Sequence, residues 1–198
     1  MASGSTFRPA KTGQHATQQA RLQAYRPIVK LLHWLIAFLV LGQFVVALLM
    51  PKIGRATVPE PLINLHFSLG VLILVLMAIR ALLRVLNPVL LDMPERPVWE
   101  RWVAIATHRA FYFILLVGPF LGWASASAHK LPVNVFGLFV LPNIAAPKAA
   151  WALAAGDIHS LFMWILLALI GLHIAGALYH CLFLHDHILQ RMLPVRGK

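Results

Sequence analysis

Four apolar stretches, each close to the roughly 20 residues that a helix needs to cross a bilayer, fill most of this chain. They run at about 28–50, 62–83, 103–123 and 158–184, with Pro27, Pro51, Pro61 and Pro88 at their ends, where a missing N–H costs least. Inside hydrocarbon every backbone N–H and C=O must find its partner within the protein. The expected fold is therefore all-α, a transmembrane four-helix bundle surrounded by membrane lipid. Composition agrees: 60% of the residues are hydrophobic and 12% charged, with a mean hydropathy of +0.78. A soluble domain of this size would expose too much apolar surface to stay dispersed.

The formal net charge of +11 does not point to nucleic acid, because the charge follows the membrane topology. Most basic residues lie before or at the start of the first stretch (Arg8, Lys11, Arg21, Arg26, Lys30), around the second connection (Arg80, Arg84, Arg96, Arg101, Arg109) or at the C-terminus (Arg191, Arg196, Lys198). The first and third connections hold only Lys52, Arg55, Lys130 and Lys148. The positive-inside rule then puts both termini in the cytoplasm. Residues 1–24, rich in Ser, Thr, Gln and basic side chains, are expected to form a flexible cytoplasmic tail, with the membrane domain at 25–194. The third connection, about 124–157, is expected outside, with its apolar run Val135–Leu141 lying on the membrane surface or capping the bundle.

Histidine is costly in hydrocarbon, and these stretches include His33, His66, His159 and His173. His159 and His173 share one stretch and lie fourteen residues apart. At about 100° per residue this returns them to nearly the same helix face, roughly 21 Å apart along the axis. The topology matches their depths with partners on other helices. His66 pairs with His159 towards the outside, and His33 with His173 towards the inside. One intramembrane histidine is commonly a core residue bonded to backbone; four in two depth-matched pairs call for another reason. Neutral imidazole is a standard axial ligand of haem iron, so each pair is a candidate ligand set for one haem. A zinc or iron transport site is the alternative, but the stretches lack the clusters of Asp, Glu and Cys that such sites favour. The single cysteine, Cys181, and the lack of a C-x-x-C-H run leave only non-covalent attachment, of a b-type haem or a close relative.

Other histidines are weaker candidates. His108, beside Arg109, could replace His33 as partner of His173, or hold a haem propionate or a quinone, or simply sit at the interface where a helix starts. His180 follows His173 by two turns on the same face, about 10 Å further inward. There a lipid-soluble quinone could approach, with Arg191 or Lys30 nearby. His187 continues the stripe into a solvated end. Gly42, Gly70 and Gly171 are candidates for leaving room for a flat macrocycle, although helix packing is the commoner use of a membrane glycine.

The segments LLHWLIA (31–37), INLHFSLG (63–70), THRAFY (107–112), GPFLGW (118–123), FGLFVLP (136–142), DIHSL (157–161) and HIAGALYHCLFLHDHILQRMLP (173–194) together resemble the bacterial cytochrome b561 family of four-helix dihaem proteins. The resemblance implies His33, His66, His159 and His173 as haem-iron ligands, two haem b, and a place in the bacterial inner membrane. It also implies electron transfer from a periplasmic donor to the quinone pool. One branch, the superoxide oxidases, takes superoxide as donor and ubiquinone as acceptor. Others serve as cytochrome b subunits that anchor a periplasmic dehydrogenase or hydrogenase. On the first reading Lys130 is the candidate catalytic residue of an outer basic entrance with Lys52, Arg55 and Lys148, since a basic funnel speeds the arrival of a small anion. His180 and Arg191 are the candidates for the quinone site.

Overall fold

A computed structural model describes residues 27–54, 57–86, 97–185, 189 and 192. The expected tail at 1–24, Arg55, His187 and Arg191 lie outside the described residues. Four long helices carry the fold: α1 (Pro27–Leu49), α2 (Pro61–Leu86), α3 (Val98–Ala128) and α4 (Ala150–Leu182). All four are long and apolar enough to span a membrane. Pro27 and Pro61 occupy the first position of their helices, where the ring's fixed φ suits the turn. Side chains such as Leu31, Phe38, Leu48, Val75, Phe113 and Trp164 are exposed along the helices, as expected where lipid replaces water.

Two helices run well beyond the expected apolar stretches, while α2 gains one residue at its start and three at its end. Helix α3 begins at Val98 rather than about 103 and ends at Ala128 rather than about 123. Helix α4 begins at Ala150 rather than about 158 and closes at Leu182 rather than about 184, so Trp151 is helical and not part of the loop. Where α3 ends and α4 begins, the extensions are rich in Ala and Ser and less apolar than the spans. They are also buried against each other: Ala124, Ala128, Ala152 and Ala155 form one small cluster. Gly156 lets the two backbones close, since a Cβ there would stand 2.5 Å from Ser125 Oγ.

The third connection is consequently short, residues 129–149. It holds a two-stranded antiparallel hairpin, β1 (Asn134–Val135) and β2 (Phe139–Val140), with Val135 facing Phe139. Phe136 and Gly137 both take positive φ in its turn, which Leu138 N–H closes onto the Val135 carbonyl at 2.9 Å. Of the two expected roles for the apolar run, its ends cap the bundle. Val135 and Leu141 pack with Ile63, Phe67, Ala126, Leu131 and Val133. Phe136, Leu138, Phe139 and Val140 are exposed. Ser68 on α2 fixes the cap: its Oγ donates to the Asn134 carbonyl (3.0 Å) and accepts from Phe136 N–H (2.9 Å). Trp123 Nε1 donates to the Pro142 carbonyl at 3.1 Å.

Helix α4 packs extensively only on α3, whereas α1 packs on α2 and α2 on α3. The backbone of α4 is thus held off from α1 and α2. At mid-height the gap is closed by Ile36, Val40, Ile73, Met77, Ile114, Leu115 and Leu166, a buried apolar layer. Leu166 lies seven residues from both His159 and His173, so this layer separates two levels of the bundle.

Candidate haem sites

At the hairpin end, His66 comes from the second turn of α2 and His159 from the third turn of α4. Their ring centroids are 6.2 Å apart with planes at 88°. At the opposite end, His33 near the start of α1 meets His173 in the last third of α4, again at 6.2 Å, with planes at 68°. These pairs join α4 to α2 and α1, the two helices on which it does not pack extensively. Each pair therefore brackets an interhelical gap rather than a packed interface.

The donor set suits axial ligation. A ring-centroid separation of 6.2 Å at each level would leave room for one iron between two imidazole nitrogens. His159 is oriented for the role: its Nδ1 donates to the Gly118 carbonyl at 2.8 Å, which leaves Nε2 with its lone pair available. A metal-binding histidine is usually fixed in this way by its other nitrogen. Gly122 makes the contact possible, since the His159 ring lies over it and a Cβ there would stand 3.3 Å from Cε1. Among the described residues no group of three or more His, Cys, Asp or Glu could hold a metal ion.

His66 is held differently. Gln43 on α1 donates from Nε2 to the His66 carbonyl at 2.9 Å. Gly70, four residues after His66, leaves room for that amide, 3.7 Å from where its Cβ would be. At Gly42 and Gly171 a Cβ would meet nothing within 4 Å. His66 Nδ1 and Gln43 Oε1 are both buried and have no hydrogen-bond partner. Gln43 was not among the sequence candidates. The signal was available: it is the one glutamine within the spans and continues the 33, 36, 40 stripe of α1.

At the opposite end a third ring joins. His108 lies 5.5 Å from His173 with planes at 89°, and its Nδ1 donates to the Ala104 carbonyl at 2.7 Å. Both sequence alternatives for the partner of His173 are thus present at one level. His33 repeats the 6.2 Å spacing of the other pair, while His108 is exposed and bonded within its own helix. Arg80 donates to the Val29 carbonyl at 3.0 Å and ties α2 to the first turn of α1. Trp34 Nε1 donates to the Met192 carbonyl at 3.0 Å, bringing the chain beyond α4 back beside His33. His180 lies half-buried in the last turn of α4, two turns beyond His173.

Lys130 follows α3 at the hairpin end with φ of 62°. Its N–H bonds the Ser127 carbonyl (3.1 Å) and Leu131 N–H the Ala126 carbonyl (2.9 Å), the closing pattern in which glycine usually takes this place. Lys130 is exposed and lines a cleft of about 570 Å³ with Ser127, Pro132, Val140, Leu141, Pro142, Asn143 and Pro147. None of the four paired histidines lines that cleft. Lys52 and Lys148 are also exposed.

A family model described as prokaryotic cytochrome b561 matches residues 24–195. The chain belongs to that family. It is accordingly a bacterial membrane cytochrome of the electron-transfer type, from a family that binds haem b. Cytochrome b561 homolog 2 of Escherichia coli (strain K12) is 32% identical over 176 residues, covering 86% of this chain and 92% of the relative. A probable superoxide oxidase CybB of Yersinia pestis is 29% identical over 163 residues, 82% of this chain and 92% of that protein. Cytochrome b561 homolog 1 of E. coli (strain K12) is 29% identical over 133 residues, 66% and 74% respectively.

Proposed function

We propose that this cytochrome takes electrons from superoxide at the hairpin end and delivers them to ubiquinone at the other, using two haem b. The observation that carries this reading is the pair of matched histidine levels on one helix, 6.2 Å between rings at each. His66 and His159 would hold one haem iron, and His33 and His173 the other. Bound haem supplies reversible one-electron chemistry, with its potential set by axial ligands and burial. The basic asymmetry of the sequence supports cytoplasmic termini in the inner membrane, which sets the hairpin end towards the periplasm.

The balance is simple. Each of two superoxide anions gives up one electron and leaves as dioxygen. The two electrons, with two protons, convert ubiquinone to ubiquinol. Lys130, exposed at the rim of the hairpin-end cleft, attracts the anion. His180 donates a hydrogen bond to a quinone oxygen and relays a proton, which imidazole does readily near neutral pH. Arg191 is its candidate companion.

The test is stopped-flow mixing of the isolated holoprotein with superoxide. Rapid haem reduction without a partner, reversed by added ubiquinone, supports the reading. Failure of superoxide to reduce the haems, with reduction only by a periplasmic dehydrogenase or hydrogenase, would make the protein an anchor and electron-transfer subunit instead.

A further inference from the structure

The two histidines at the hairpin end are held unequally. The Nδ1–H of His159 has its acceptor in the Gly118 carbonyl. His66 Nδ1 is buried with no partner. Beside it, Gln43 has spent its amide N–H on the His66 carbonyl, and its own oxygen is buried with no partner either. Oε1 sits on the same carbon as the bonded Nε2, so it is anchored to the residue whose ring lacks an acceptor. An amide oxygen only accepts, and an imidazole whose Nε2 is committed to a metal only donates through Nδ1. Each atom is what the other lacks, and buried polar groups are seldom left unpaired.

From this we infer that Gln43 is a positioning residue for the hairpin-end haem, its Oε1 accepting the His66 ring N–H when Nε2 holds the iron. The inference rests on the proposal that His66 is an axial ligand. Its consequence concerns potential. An acceptor on the distal nitrogen makes the imidazole a stronger donor to the metal, which favours ferric over ferrous iron. Without that acceptor the hairpin-end haem becomes easier to reduce, while the other haem, beyond the apolar layer, does not change. The same amide also clamps α1 to α2, so the two roles must be separated. Asn134 Oδ1 is the third buried atom without a partner. Its main chain is tied to Ser68, two residues and about 200° around α2 from His66, so it belongs to the cap.

The experiment is a redox titration of the holoprotein carrying Gln43→Leu, Gln43→Glu or Asn134→Ala, with haem content measured in each. Gln43→Leu removes the acceptor. It is expected to shift the ferrous-to-ferric ratio of the hairpin-end haem about tenfold towards ferrous at fixed ambient potential, which is 59 mV for a one-electron couple. Gln43→Glu keeps an accepting oxygen and is expected at or below the wild-type potential. Asn134→Ala should match wild type. Equal shifts in both Gln43 variants would show that only the clamp matters. No shift in either, or a shift in Asn134→Ala alone, would remove Gln43 from the role. Should both Gln43 variants lose the haem, the ¹⁵N signal of His66 in the wild type decides: a bonded Nδ1–H supports the assignment and a free one overturns it. If the wild type holds no haem that His66→Ala removes, the ligand reading fails and the inference falls with it. If that haem is present and its potential does not move, the inference alone fails.

Discussion

The two ends of the bundle present the same ring spacing in different settings. At the hairpin end, His66 and His159 lie beneath a cap built on Ile63, Phe67, Leu131 and Val135 and fastened by Ser68. Both are tied to neighbouring helices, the His159 ring through Gly118 and the His66 carbonyl through Gln43. The device is the same in each case. A side chain from one helix crosses a glycine, Gly122 or Gly70, to reach the carbonyl four residues earlier on another. At the opposite end, His33 and His173 are joined by an exposed His108 and by Arg80, and His33 lies in the second turn of its helix. A closed, preorganised site suits a small diffusing donor that must be admitted selectively. A more open site beside lipid suits a larger headgroup whose tail stays in the membrane.

The strongest way to break this comparison is to remove one ring at a time. His159→Ala and His66→Ala should each abolish the hairpin-end haem and leave the other, halving the α-band absorbance per protein. His173→Ala and His33→Ala should do the converse. His108→Ala should keep both haems, and loss of one there would make His108 the true partner of His173. Smaller effects sharpen the difference in access. His180→Ala should leave superoxide-driven reduction intact and slow re-oxidation by added ubiquinone at least about tenfold, followed as decay of the ferrous spectrum. Re-oxidation at the wild-type rate would move the quinone site elsewhere. At the capped end, Lys130→Glu should slow reduction by superoxide about tenfold at low salt and Lys130→Ala less. The variants and wild type should converge as ionic strength rises. Unchanged rates in both variants would remove Lys130 from the entrance. The smallest effect is on stability. Lys130 holds a left-handed backbone that costs a residue bearing a Cβ about 1 kcal/mol. Lys130→Gly should therefore raise the thermal midpoint slightly where Lys130→Ala does not.

The contrast also shows what the sequence could reveal. The pairing of depths was legible because two periodicities combine, the 20-residue apolar stretch and the helical repeat that sets His159 and His173 on one face. The helix ends at Ala128 and Ala150 were not, because the small residues of WASASA and AWALAAG are less apolar than the spans they extend. Burial of small residues between α3 and α4 decides them. Whether His33 or His108 meets His173 was open in the sequence, since both lie a turn or two inside the same end; the structure brings both to one level. Gln43 escaped notice because an uncharged amide barely lowers the hydropathy of its stretch, and its partner is a backbone carbonyl rather than a residue type. Arg191 and the tail at 1–24 lie outside the described residues.

The central claim is that each end of one chain holds a haem between two histidines from different helices. Haem extracted as its pyridine complex, measured against protein by amino-acid analysis, tests it most directly. The account predicts two haem b per chain in the fully loaded wild type, and one in His66→Ala and in His33→Ala alike. A fully loaded wild type with one haem per chain, unaffected by removal of the rings at one end, would contradict it.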